Sequence, residues 1–336
     1  MSGTRAGSKT SDMSVRVGNV TLPSPVLTAS GTAGHSDELA AYVDLSSIGA
    51  VVVKSMASFE WKGNPAPRLH AVDGGMINAV GLQGNGVEKW IRDELPRLRA
   101  HGARVVASIW GFRESDYESA ARSLAAVADQ LTAVEVNLSC PNLDHARTMF
   151  AHDAAQSARV VAAVRAALTG SVPTSESAAT NQSVPTRSPA NALPIWAKLS
   201  PNTDRLIDIA GVVASAGADA LVLVNTVLGM QIDTETRRPV LGNGGGGLSG
   251  SAIHAVAVRS VFDVRAAHPR VPIVGVGGIS RAEHAIELMM AGANAVQVGT
   301  ATFADPRAAA KIQRGMYRWA RRHDVRSWDE IIGASH

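Results

Sequence analysis

Residues 271–300 read VPIVGVGGISRAEHAIELMMAGANAVQVGT, and this stretch decides the fold. A short apolar run, Pro272–Gly277, ends in glycine; a segment of helical periodicity, Arg281–Gly292, follows; a second apolar run, Ala295–Thr300, comes next. Apolar runs that do not alternate with polar residues are strands buried on both faces. A helix between two of them makes a parallel β-α-β unit.

The same unit recurs upstream. Strands are expected at Pro25–Thr28, Ile48–Lys54, Arg104–Trp110, Ala133–Ser139, Pro194–Ser200 and Ala218–Thr226. Helical periodicity fills Ser115–Gln130, Asp153–Leu168, Leu206–Gly217 and Ser251–His268. A doubly wound sheet produces a similar series, but eight units favour an α/β chain folded as one closed (β/α)8 TIM barrel. Ala-Gly-Ala-Asp at 216–219 and Ala-Gly-Ala-Asn at 291–294 repeat one helix-to-strand junction, where glycine ends the helix.

Composition agrees. Of 336 residues, 46% are hydrophobic and 18% charged, enough apolar material for a large core. The net charge of +3 gives only a weak field. Arg318, Arg321, Arg322 and Arg326 are read as one solvated face of a C-terminal helix, and no nucleic-acid partner is expected. A single cysteine rules out an intrachain disulfide and a cysteine-built metal site. No run is long and apolar enough to span a bilayer, so no membrane association is expected and the location is read as cytoplasmic. Residues 1–13 are expected to form a disordered tail, and 14–336 the barrel. Residues 169–192, small or polar with three prolines, are expected to be a flexible insertion at the bottom of the barrel.

Barrel chemistry gathers at strand C-termini. Lys54 and Ser55 follow strand two; Asn137, Ser139, Cys140, Pro141 and Asn142 leave strand four. Lys198 and Ser200 end strand five; Asn225 and Thr226 end strand six. Gly277-Gly278 and Gly299-Thr300 follow strands seven and eight, the usual place for a phosphate held on backbone N–H groups. Glycine there also serves any tight turn. The run at 244–247 reads as a mobile loop or part of a lid. Two lysines beside a phosphate site point to an anionic ligand, because an unpaired buried ammonium is costly. A lone cysteine is most often an inert small hydrophobe. Between polar neighbours at a strand exit, Cys140 is instead a candidate base whose thiolate takes a proton from carbon.

Val-Val-Lys at 52–54, Gly-Asn-Pro-Ala-Pro-Arg at 63–68, Asn-Ala-Val-Gly-Leu at 78–82, Asn-Leu-Ser-Cys-Pro-Asn at 137–142, Ala-Lys-Leu-Ser-Pro-Asn at 197–202, Val-Asn-Thr at 224–226 and Gly-Gly-Leu-Ser-Gly at 246–250 carry a resemblance to class 1 dihydroorotate dehydrogenases. It runs from about Val15 to Phe303 and is closest to the NAD-linked class 1B catalytic subunit. The resemblance implies FMN as cofactor and oxidation of dihydroorotate to orotate in pyrimidine synthesis. Cys140 would take the C5 proton while hydride leaves C6 for the flavin, with Lys54 touching flavin and substrate. FMN would be held by Ser30, Lys54, Ser55, Asn137, Lys198, Val224, Gly250, Gly277, Gly278, Gly299 and Thr300. Substrate would be held by Lys54, Asn78, Ala79, Val80, Gly81, Leu82, Asn137, Asn142, Asn225 and Thr226. A homodimer and a second subunit carrying FAD and a 2Fe–2S cluster are implied as well, with no metal in this chain.

The sequence departs from the pattern at Ser108, where strand three usually offers an asparagine to the flavin, and at Trp61 and Trp110. Two alternatives stay open here: a related flavin enzyme acting on dihydrouracil or dihydrothymine, and a flavin-binding protein without turnover.

Overall fold

The computed structural model describes residues 13–139, 149–170 and 192–336. Eight parallel strands form one sheet: β1 (Val26–Thr28), β2 (Val51–Val52), β3 (Val105–Ile109), β4 (Ala133–Asn137), β5 (Ile195–Lys198), β6 (Ala220–Leu223), β7 (Ile273–Val276) and β8 (Ala295–Val298). From β2 to β8 each strand pairs with the next, and β8 pairs with β1. Closure between β1 and β2 comes from Gly49 N, which donates to Val26 O at 2.8 Å, and Thr28 N, which donates to Ala50 O at 3.2 Å. The Thr28 hydroxyl reinforces the seam by accepting from Val52 N at 2.9 Å.

All eight expected strands are present, each shorter than its apolar run. The run marks burial, and burial continues past the last ladder bond: Val53 and Leu199 lie outside strands yet are fully buried. Residues of β3 to β8 are buried on both faces, one set filling the barrel and the other meeting the helices. The expected helices are found at Glu114–Ala125, Ala154–Thr169, Leu206–Ser215, His254–Ala267 and Ala282–Met290, with Ala308–Arg322 closing the chain. On that last helix Arg318, Arg321 and Arg322 are exposed, as is Arg326 beyond it. The expected tail at 1–13 and insertion at 169–192 fall almost wholly outside the described residues, although Thr169 is the last residue of its helix.

The structure corrects one expectation. The glycine run at 244–247 is not simply a loop. Gly246–Ser249 is a strand in a four-stranded antiparallel sheet with Val227–Gly229, Gly75–Asn78 and Leu69–Val72. Its partners emerge after β2 and β6, so this sheet stands over the C-terminal mouth of the barrel. Glycine is required by close approach: a Cβ on Gly246 would lie 2.4 Å from Asn78 O, and one on Gly247 2.1 Å from Thr226 Oγ1. Ladder bonds replace the side-chain contacts that these residues lack.

The repeated junction is one device built twice. Gly217 and Gly292 take φ of +112° and +120°, positive as a chain reversal by glycine requires. At the first, the Asp219 carboxylate accepts from Ile195 N at 2.8 Å and pairs with Arg165, which donates to Gly217 O at 2.7 Å. At the second, Asn294 Oδ1 accepts from Ile273 N at 3.0 Å, and Arg265 donates to it at 2.9 Å and to Gly292 O at 2.6 Å. In each, an arginine from the previous helix satisfies the carbonyls of the turn and fixes the polar side chain that starts the strand. Since Arg165 and Asp219 are both largely buried, Arg165→Ala should lower unfolding free energy by about 2–4 kcal/mol through the stranded carboxylate and carbonyl. Urea unfolding measures this.

Candidate active site

The strand C-termini and the antiparallel sheet enclose a cavity of about 540 Å³. That size falls among cofactor clefts, roughly 300–1,000 Å³. Its wall includes every residue expected to hold a cofactor: Ser30, Lys54, Ser55, Asn137, Lys198, Val224, Gly250, Gly277, Gly278, Gly299 and Thr300. Of the residues expected at the substrate, Asn78, Val80, Gly81, Leu82, Asn225 and Thr226 line the same space. Ala79 does not. It is buried behind the loop, where its N–H donates to Arg68 O at 2.8 Å and its carbonyl accepts from Asn64 Nδ2 at 3.1 Å. Cys140 and Asn142 lie outside the described residues.

The strand ends set the polar groups. Asn137, the last residue of β4, is opposite Lys198, the last of β5. Asn137 Nδ2 donates to Ser55 Oγ at 3.3 Å, and Asn225 Nδ2 donates to Asn137 Oδ1 at 3.2 Å. Lys198 Nζ donates to Ser30 Oγ at 3.0 Å and lies 3.7 Å from Glu135 Oε1. Glu135 was not expected. It is fully buried in the middle of β4, where it also accepts from Ser108 Oγ at 3.0 Å and from Gln297 Nε2 at 2.9 Å. The signal was there in Ala-Val-Glu-Val-Asn and Ala-Val-Gln-Val: one polar residue inside an otherwise apolar strand, affordable only with a buried partner.

Lys54 differs from Lys198. Among the described residues it has no counter-anion, and burial, followed by the Arg68 charge, holds its pKa below the ordinary lysine value. Burial and then Lys54 push neighbouring His35 below the usual histidine value, and His35 Nε2 has no hydrogen-bond partner among the described residues. This is a positive corner suited to an anion.

The glycine loop after β7 is tightly seated. Gly277 and Gly278 have φ of +137° and +68°, and a Cβ on Gly278 would lie 2.6 Å from that of His254. The His254 ring places Nδ1 2.9 Å from Gly277 O and Nε2 2.9 Å from Glu287 Oε2. His284 stacks on it at 4.3 Å, with Nδ1 3.1 Å from Gly278 O. Burial, followed by the charge of His254, lowers the His284 pKa. With the loop's carbonyls engaged by imidazoles behind it and its glycines bare of side chains on the cavity side, the backbone can meet a phosphate closely. The cavity therefore fits a phosphorylated planar cofactor: two glycine loops, two lysines and an asparagine pair line one space. Among the described residues no cluster of three histidine, cysteine, aspartate or glutamate side chains suits a metal ion.

The family model for dihydroorotate dehydrogenase matches residues 12–319. The chain belongs to the dihydroorotate dehydrogenase family. It is 41% identical over 322 residues to the protein named dihydroorotate dehydrogenase B (NAD(+)), catalytic subunit, of Trichlorobacter lovleyi, covering 96% of this chain and 98% of that one. The protein of the same name from Desulforudis audaxviator is 43% identical over 322 residues, covering 96% and 97%. A crystal structure of the dihydroorotate dehydrogenase of Eimeria tenella in complex with ferulenol shares the fold at a TM-score of 0.75, with 23% identity over 97% of this chain and 89% of that one.

Two departures from the family pattern have physical accounts. Ser108 is fully buried and, besides Glu135, bonds Ser55 Oγ at 2.8 Å, so its hydroxyl is engaged below the cavity. Trp61 donates from Nε1 to Gly81 O at 2.9 Å and packs with Trp110 and Phe112, bracing the 78–82 loop. The motif asparagine Asn202 does similar work between strands, donating to Thr226 O at 3.0 Å and accepting from Leu228 N at 2.9 Å.

The Lys54 environment predicts a pH effect. Its folded pKa is depressed below the unfolded value near 10.5. Between the two, the unfolded chain binds the extra proton, so stability without ligand should rise with pH through that window and level off above it. Lys54→Met should flatten this slope, as measured by urea titration across alkaline pH. A persistent slope in that variant would assign the effect elsewhere.

Proposed function

We propose that this chain is the catalytic subunit of an NAD-linked dihydroorotate dehydrogenase, with Cys140 as base and the cavity residues in the roles given above. The reaction is the oxidation of dihydroorotate to orotate in pyrimidine biosynthesis, and the family cofactor is FMN. The observation that supports the residue roles is the convergence of all the cofactor candidates and nearly all the substrate candidates on one cavity of cofactor size.

When bound, FMN supplies the acceptor for the hydride that leaves C6 of dihydroorotate. The chain's own residues do the rest. Gly277, Gly278, Gly299 and Thr300 would hold the phosphate. Lys198, held beside the buried Glu135, would stabilise negative charge on the reduced ring. Lys54, without a counter-anion among the described residues, would take the substrate carboxylate. Asn78, Asn137, Asn142, Asn225 and Thr226 would hold the pyrimidine ring by its polar edges. Cys140 thiolate would remove the C5 proton. The 78–82 loop, braced by Trp61, would limit access of water to the reacting carbons.

The relatives' designation as catalytic subunits supports a separate electron-transfer subunit, for which FAD and a 2Fe–2S cluster are the expected carriers. A single cysteine leaves this chain unable to hold such a cluster itself. We propose a homodimeric core and a cytoplasmic location; no helix among the described residues is long and apolar enough to cross a membrane.

The test is anaerobic mixing of the flavin-loaded protein with dihydroorotate while flavin absorbance is followed. Rapid bleaching is expected. Bleaching only with dihydrouracil or dihydrothymine would move the substrate to uncharged dihydropyrimidines, and no bleaching with any of them would leave a binding protein. Cys140→Ser should keep its yellow colour and lose turnover at pH 7 by about 100-fold or more, because a hydroxyl is a far weaker acid than a thiol. Full activity of that variant at pH 7 would remove Cys140 as base.

A further inference from the structure

Five polar side chains run in one line from the cavity wall into the barrel: Asn225, Asn137, Ser55, Ser108 and Glu135. The separations along it are 3.2, 3.3, 2.8 and 3.0 Å. Its direction can be derived. Asn225 Oδ1 accepts from the N–H of Thr226 at 2.9 Å, and Asn137 Oδ1 accepts from the N–H of Ser139 at 3.2 Å. A backbone N–H only donates, so both amide orientations are fixed: Asn225 Nδ2 donates to Asn137, and Asn137 Nδ2 donates to Ser55. At the far end a carboxylate only accepts. Ser108 must spend its single proton on Glu135, and Ser55 must therefore donate to Ser108. Every link agrees in direction, and the terminal acceptor is Glu135.

The same carboxylate faces Lys198 at 3.7 Å, with both side chains at least 95% buried. Gln297 Nε2 fills its other oxygen at 2.9 Å. Neither charge has water to fall back on, so each depends on the other. We propose that Glu135 is a positioning residue: its carboxylate orients the Ser108 and Ser55 hydroxyls beneath Asn137 and is the counter-ion that holds Lys198 at the cavity wall. At the cavity end Asn225, its oxygen taken by Thr226 and one amide proton by Asn137, offers its second N–H to a ligand. With Lys198 alongside, this wall selects for a ligand edge rich in acceptor oxygens. Ser108, where the family pattern has asparagine, is the link that connects the two functions of Glu135.

The first test is a thermal double-mutant cycle on the full chain freed of flavin, with Glu135→Gln, Lys198→Met and both together. Each single change strands a buried partner, whereas the double change removes both charges. The Tm loss of the double variant should therefore be clearly smaller than the sum of the single losses. Additive losses would overturn the counter-ion role. Flavin fluorescence titration should show FMN affinity about tenfold weaker in Glu135→Gln, the scale of one lost buried polar contact; unchanged affinity would count against it.

Should Glu135→Gln fail to fold, Ser108→Ala serves instead, cutting the chain while leaving the ion pair in place. It leaves the Ser55 hydroxyl, a group of the proposed cofactor set, without its acceptor and should weaken FMN binding, read from flavin fluorescence, by about tenfold. Unchanged FMN affinity would overturn the directional chain. The FMN measurements rest on the proposed function, whereas the thermal cycle does not. Thermal coupling in a protein that dihydroorotate never bleaches would uphold the pair and overturn the substrate.

Discussion

A charge in the interior of a closed barrel has no solvent to turn to, and in this molecule that constraint organises the site. Glu135 lies in the middle of β4, where neighbouring positions carry valine, and it is stable there because three strands aim donors at it: Ser108 from β3, Lys198 from β5 and Gln297 from β8. The barrel core is thus not apolar to its top. A polar layer underlies the cavity, and the groups lining the cavity are oriented from beneath by it. Barrel closure is what brings β8 within reach of β4, so the fold and the electrostatics of the site depend on each other.

Above this layer the site is built from segments that the barrel plan alone does not require. The antiparallel sheet over the mouth joins the excursion after β2 to the one after β6, and its central strands are held so closely that only glycine fits at Gly246 and Gly247. The 78–82 loop hangs from this sheet and is tied at its far side by Asn64 and Trp61. A residue such as Leu82, held at a φ of +58°, shows that the loop's path is imposed by these ties and not by its own preference.

The barrel strands were legible because a strand buried on both faces leaves an unbroken apolar run, and eight such runs are hard to mistake. Their ends were less legible: burial extends beyond hydrogen bonding, so Ile48–Lys54 shrinks to Val51–Val52. The sheet over the mouth was hidden for the opposite reason. Its strands are short and glycine-rich, and their stability comes from ladder bonds to distant segments, which leave no periodic trace. The cavity residues were recovered because strand exits and motifs mark them. Glu135 and Gln297 were passed over, although a single polar residue inside an apolar strand is itself a sign of a buried partner. Ala79 was included by adjacency to its motif neighbours, yet it faces away, as alternate residues in an extended segment do.

The two lysines show how the same residue type divides the labour of anion binding. Lys198 is paired within the protein, nearly fully buried, and bonded to Ser30; its charge is spoken for and its position fixed. Such a group supplies a constant potential and responds little to which ligand is present. Lys54 is only partly buried, has no counter-anion among the described residues, and is held below its ordinary pKa by that environment. An incoming anion relieves that unfavourable state, so the gain on binding is larger at Lys54 than at an already satisfied cation. In the proposed function, selection for a carboxylate-bearing substrate would therefore fall to Lys54 and steady stabilisation of the cofactor to Lys198, a division of roles that pairing and burial support.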